Sequence, residues 1–161
     1  MTSLTDDIID IAMRPADQVP DLPLDFARLS LLDWMTCGVA APGEPLAVKL
    51  RQLAAGEGGQ PLATVLGGMR VPPRMAALVN GATSHALDYD DTHFAHVGHL
   101  SVAIYPAALA IAEMQDASAE EMITAFLLGA EGAIRVGMTL GRSHYNHGFH
   151  QTATALSLIH I

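Results

Sequence analysis

The chain has 161 residues, half of them hydrophobic and 16% charged, a single cysteine, Cys37, and a formal charge of −9 from 8 Lys and Arg against 17 Asp and Glu. That length can bury one sizeable core, that composition excludes disorder, and one cysteine excludes a disulfide scaffold or a Cys-rich zinc finger. With Lys49 its one lysine and no basic cluster, the chain lacks the cationic face that nucleic acid or an anionic membrane surface requires.

The N-terminus MTSLTDDIIDIA is acidic where a secretory signal is basic, so the expected location is the cytoplasm. Leu4, Ile8, Ile11 and Ala12 mark a short first helix ended by Pro15, and the three prolines of AMRPADQVPDLPLD predict an irregular connector. A second helix is predicted from about Leu24 to Ala40, with Phe26, Leu29, Leu32, Asp33 and Met35 filling successive turns. Trp34 is expected to pack in this helix and Cys37 to be a small core residue. Pro42-Gly43 stops it, and a third helix covers roughly Glu44 to Ala55. ATVLGG is the only strand-like run.

Pro72-Pro73 open a further helix carrying Met75, Leu78, Val79, Ala82 and Ala86 on one face. Ser101–Met114 and Ser118 to about Leu140 are two more, the latter begun by a capping box of Ser118 with Glu121. Glu131 and Arg135 are spaced to pair on one helix face. The longest apolar stretches run about 12 residues before Pro106, Glu113, Glu131 or Arg135 interrupts them, short of the ~20 that a membrane span needs. An all-α, multi-helix domain is expected.

Two polar islands break this apolar rhythm. Residues 84–101, SHALDYDDTHFAHVGHLS, carry Asp88, Asp90, Asp91 and four histidines; residues 142–152, RSHYNHGFHQT, carry three more. Each residue alone reads as a solvated histidine or a capping aspartate. Together they read as a site, because imidazoles clustered with carboxylates suit proton transfer or anion binding near neutral pH. His93, His96 and His99 are spaced in threes, as are His144, His147 and His150. That spacing matches no established zinc signature, but it leaves open a helical His-rich metal-binding module. A helical interaction protein without chemistry leaves the clustering unexplained.

The run NGATSHALDYDDTHFAHVGHLSVAIYPAALAIAE, followed by LLGAEGAIRVG and HYNHGFHQTATA, resembles the MmgE/PrpD family, whose activities include 2-methylcitrate dehydratase, cis-aconitate decarboxylase and an iminodisuccinate epimerase. The resemblance implies an all-helical domain and a lyase acting on a small di- or tricarboxylate without metal or cofactor. It implies 2-methylcitrate dehydratase-like elimination of water first, with decarboxylation or epimerisation as alternatives. It places His99, His150 and Asp88 in catalysis, and Thr92, Asp88 and His150 against substrate. His99 is the expected general acid/base. The family commonly has His-Pro there, whereas Leu100 follows here.

The family's proteins are homodimers and far longer, so residues 1–155 are expected to be part of the N-terminal helical domain. Leu156–Ile161, LSLIHI, read as a non-native tail, the translation of a DNA-library end sequence. Such a truncated chain is expected to expose apolar helix faces, self-associate and lack turnover. A trianionic substrate also needs a locally positive pocket in a chain of charge −9. The family meets this partly with later lysines, and none follows Lys49 here.

Overall fold

The structure, a computed structural model, describes residues 3–156. Among them are seven α-helices, one 3₁₀ turn at Ala16–Gln18 and one two-stranded ribbon, so the expected helical class holds. Helix α1 (Leu4–Ala12) starts at a reciprocal capping box of Ser3 and Asp6. Helix α2 (Asp21–Ala40) begins earlier than its apolar pattern suggests, because Pro20 and Pro23 sit before and within the first turn, where no N–H is missed. Helix α3 (Pro45–Glu57) likewise has a proline in its first turn.

The strand-like run forms half of a hairpin. Strand β1 (Ala63–Thr64) pairs antiparallel with β2 (Arg70–Val71), Ala63 opposite Val71. Asn80, buried in helix α4 (Pro73–Ser84), clamps this ribbon: its Oδ1 accepts from the Leu66 N–H and its Nδ2 donates to the Thr64 carbonyl, both at 2.8 Å. Helix α5 (Ser101–Gln115) lies along α4. Pro106 has no N–H to offer the Val102 carbonyl, and Gly81 of α4 faces that oxygen. A Cβ on Gly81 would stand 2.9 Å from it, so only glycine allows the two helices to approach this closely.

Helix α6 (Ala119–Asn146) opens with the expected Ser118–Glu121 capping box and bends at Gly141, whose φ of 65° and ψ of −178° are not helical. The predicted end near Leu140 therefore marks a real break. Glu131 and Arg135 pair across one turn. By length and mean hydropathy α6 is long and apolar enough to cross a membrane, against the expectation of no such segment. One face of it joins the core through Met122, Ile123, Phe126, Ala130 and Ala133. Helix α7 (Gln151–Leu156) ends the described chain with Leu156 fully buried. The rest of the expected tail, residues 157–161, lies outside the described residues.

The main core is built around a stack. Trp34 faces Tyr105 at 5.6 Å between ring centroids, and Tyr105 faces Phe126 at 3.7 Å. Burial pushes the Tyr105 hydroxyl above its usual pKa, with the charge of Asp91 adding, and the hydroxyl donates to the Ala27 carbonyl at 2.5 Å. A smaller core of Ala54, Val65, Val71, Met75 and Val79 lies beneath the hairpin.

Two helix faces differ from their apolar patterns. In α2 the buried residues are Ala27, Trp34, Cys37 and Gly38, while Phe26, Leu29 and Leu32 are more than 60% exposed. The small residues win because they permit close contact: a Cβ on Gly38 would meet Leu66 Cδ1 at 2.4 Å. In α4, Met75 and Val79 are buried as expected, but Leu78 is half exposed and Asn80, Thr83 and Ser84 take the inner face. There the ribbon partners Asn80 and Trp34 partners Ser84, which offsets the burial of those two side chains. The apolar faces thus left open agree with the expected exposure.

Candidate active site

Helix α4 ends at Ser84, whose buried hydroxyl donates back to the Asn80 carbonyl at 2.8 Å and accepts the Trp34 indole N–H at 3.0 Å. The site therefore begins on a rigid floor. Residues 85–100 then form a loop whose one bridge joins His93 to Gly98. Asp88 takes φ 55°, a left-handed turn that aspartate tolerates better than most residues. This turn leaves the Asp88 side chain 78% exposed and sends Asp90 inward, with its carboxylate wholly buried.

Asp90 grips two imidazoles. His85 Nδ1 stands 2.9 and 3.0 Å from the two carboxylate oxygens. His99 Nδ1 stands 2.9 Å from Asp90 Oδ2 and 3.2 Å from the Asp90 carbonyl. The two rings meet edge to face at 4.8 Å. A carboxylate and a carbonyl oxygen both accept, so a proton on His99 Nδ1 suits these two contacts. The His99 Nε2 lies 3.6 Å from Oδ1 of the exposed Asp88 side chain. The hydrogen bond to Asp90 raises the His85 pKa, the charges of Asp90 and Asp88 adding and burial opposing.

Asp91 does a different job. Its Oδ1 accepts the Ser101 N–H at 3.0 Å, capping α5 from ten residues upstream, and its Oδ2 takes the Ser30 and Ser101 hydroxyls. The Asp91 N–H donates to Asp33 Oδ2 at 3.1 Å. Burial, then the negative charge of Asp91, pushes the Asp33 carboxyl upward. The loop is thus pinned to α2 and α5 on one side while the His99–Asp90 pair occupies the other.

Of the four residues expected at the site, the structure joins His99 and Asp88. Thr92 is exposed. The His150 side chain is also exposed, its ring edge-on to Tyr145 at 5.6 Å. The two polar islands do meet, through Thr152, whose Oγ1 accepts the His99 N–H at 2.9 Å. Sequence reasoning gave no role to Asp90, His85 or Thr152. His85 and Asp90 stand five apart across a helix end, and that spacing was the available signal.

The histidine triplets do not assemble as a metal module would require. His93 Nδ1 accepts the His96 N–H, His96 is wholly buried, His144 stacks on Phe149 and His147 bonds the Ser143 carbonyl. His85, Asp88, Asp90 and His99 form the one group among the described residues with donor atoms mutually within 4.8 Å. Two of those donors are already engaged with Asp90. A concavity of about 790 Å³ between α4 and α5 is lined by Leu78, Ala82, Ile111 and Met114 and includes none of these groups. Size would favour that groove, but it lacks a group able to move a proton, so the chemistry points to the loop.

Residues 11–159 match the family model described as the MmgE/PrpD N-terminal domain. The chain belongs to the MmgE/PrpD family. It is similar to the cis-aconitate decarboxylase-like protein oryM of Aspergillus oryzae, 28% identical over 86% of this chain and 30% of the relative. It is also similar to the cis-aconitate decarboxylase of Aspergillus terreus, 27% identical over 83% of this chain and 29% of that protein. The chain thus spans about 30% of the length of the curated relatives it matches. Membership in the MmgE/PrpD family supports lyase-type chemistry and agrees with the helical architecture. In this chain the imidazole–carboxylate cluster lies on the loop between α4 and α5.

Proposed function

We propose that this chain supplies the acid–base centre of a lyase acting on a small tricarboxylate, with His99 as the proton carrier and Asp90 as the residue that orients it. The observation that carries this reading is the contact of Asp90 with His99 Nδ1, which orients the ring with Nε2 beside the exposed Asp88 side chain. Breaking a carbon–carboxylate bond passes its electron pair into the neighbouring unsaturated system, and a proton must then reach a carbon α to a remaining carboxylate. Removing water instead draws a proton from the same kind of carbon. An imidazole held in one tautomer does either near neutral pH. The names of the relatives put cis-aconitate-type decarboxylation ahead of the dehydration of a 2-methylcitrate-like acid. The exposed side chains of Thr92, Asp88 and His150 are the proposed substrate contacts.

Charge decides the conditions. His85, raised by Asp90, keeps its positive charge to higher pH than a free imidazole and offsets part of the −9 of the chain. Tricarboxylate affinity should therefore rise as pH falls through the folded-state pKa of His85, by up to about tenfold per pH unit for one coupled proton. NMR titrations of the chain with cis-aconitate and with 2-methylcitrate at pH 6 and pH 8 test this. The expected result is movement of the His85 and His99 ring signals, tighter binding at pH 6, and binding at least about tenfold weaker in His99→Gln. Unmoved ring signals, or tighter binding at pH 8, would contradict the proposal.

A further inference from the structure

Beneath the His99 loop lies a buried polar group that the proposed chemistry does not use. His96 is fully buried, and neither of its ring nitrogens has a hydrogen-bond partner. Gln151, the first residue of α7, is equally buried, and its Oε1 is also without a partner, while its Nε2 donates to the Gly141 carbonyl at 3.0 Å. Orphaned buried polar atoms are rare, and each calls for a reason.

Two glycines show how these atoms lie. A Cβ on Gly137 would stand 2.0 Å from His96 Nδ1 and 2.7 Å from Gln151 Oε1, so those two atoms are neighbours. A Cβ on Gly98 would stand 2.9 Å from both His96 Nε2 and Thr152 Oγ1, so the other ring nitrogen neighbours the hydroxyl that holds His99. The Thr152 oxygen already accepts the His99 N–H, and its own proton needs an acceptor.

We infer that His96 is a positioning residue, a neutral imidazole that donates from Nδ1 to Gln151 Oε1, accepts the Thr152 hydroxyl proton at Nε2, and so fixes His99. Every donor then runs the same way, from the His99 N–H to Thr152, to His96, to Gln151 and on to the Gly141 carbonyl. A chain of this kind polarises along its length and satisfies each buried group. The opposite tautomer would set the His96 Nδ1 lone pair against the Gln151 carbonyl oxygen. Flipping that amide would only move the conflict to Gly141. Burial, with the charge of His93 adding, holds the His96 pKa below its usual value, in keeping with a neutral ring. The relay ties the bend of α6 and the start of α7 to the backbone of the proton carrier, and Gly137 and Gly98 leave space for the ring. That His99 is the residue to be positioned rests on the lyase reading above; the order of the hydrogen bonds does not.

Long-range proton–nitrogen NMR of the full chain, labelled at histidine, tests this at pH 7. The expected result is a single neutral His96 tautomer with its proton on Nδ1. In Thr152→Val the His96 Nε2 signal should shift and the His99 amide should exchange at least about tenfold faster, and Thr152→Ser should restore both. A His96 protonated on Nε2 would overturn the relay. So would a Thr152→Val chain with the His96 and His99 signals unchanged. If Thr152→Val does not fold, the wild-type tautomer still decides. The wrong tautomer with intact tricarboxylate binding removes the relay alone, and the right tautomer without binding removes the lyase reading alone.

Discussion

Replacing Asp90 with asparagine is expected to lower the pKa of His85 and to cost the fold about 2–4 kcal/mol, the range for losing charge-assisted hydrogen bonds in a buried site. The carboxylate is wholly buried and meets the Nδ1 of two imidazoles. An asparagine of the same shape keeps one acceptor but turns an N–H₂ group toward one of the rings, forcing that ring to change tautomer or turn away. The sign with pH follows from the raised value at His85. A histidine whose folded pKa exceeds its unfolded value adds stability that is fully present below the unfolded pKa and lost as pH rises through the folded one. The wild-type advantage over Asp90→Asn from this source should therefore shrink as pH rises through the folded-state pKa of His85. His85 is partly exposed, so solvent screening keeps this part small. Urea unfolding at pH 6 and pH 8, with NMR titration of the His85 ring, measures both effects. An unchanged His85 pKa would show that Asp90 does not hold the ring.

Trp34→Ala should be the more damaging change, costing about 3–5 kcal/mol, as for other large aromatic truncations in a core. Folded domains have only about 5–15 kcal/mol in total. Trp34 is 1% exposed and stacks on Tyr105, and its indole N–H is bonded to Ser84 directly before His85. Its removal opens a cavity in the core and frees the floor of the site at once. Trp34→Phe keeps part of the stack but loses the Ser84 bond and one ring of packing, for which about 1–3 kcal/mol is expected. Denaturation midpoints of the three proteins test the order. A Trp34→Ala chain as stable as wild type would mean that the aromatic stack is not the organising core.

Much of this architecture is legible in the sequence because prolines, glycines and capping residues act locally. Pro15, Pro42-Gly43, Pro72-Pro73 and the Ser118–Glu121 box mark helix limits within a few residues. Which face of each helix turns inward is less legible, because packing partners choose it. In α2, Trp34 is buried with Ala27, Cys37 and Gly38 while Phe26 and Leu29 stay outside, since the aromatic stack and the close approach at Gly38 set which face turns inward. The site shows the same division. Both polar islands stand out against the apolar chain, yet the aspartate of DYDDT that turns inward is set by the positive φ of Asp88, which no residue pattern displays. His150 stands out by residue type, but Thr152, a commonplace residue in the same island, makes the contact that joins the two segments.

The most direct test of the acid–base centre is a crystal structure of the chain grown with cis-aconitate. A substrate carboxylate or its adjoining carbon against His99 Nε2, with His99 Nδ1 still on Asp90, is the predicted result. Ligand in the apolar groove between α4 and α5, with His99 turned away from Asp90, would contradict it.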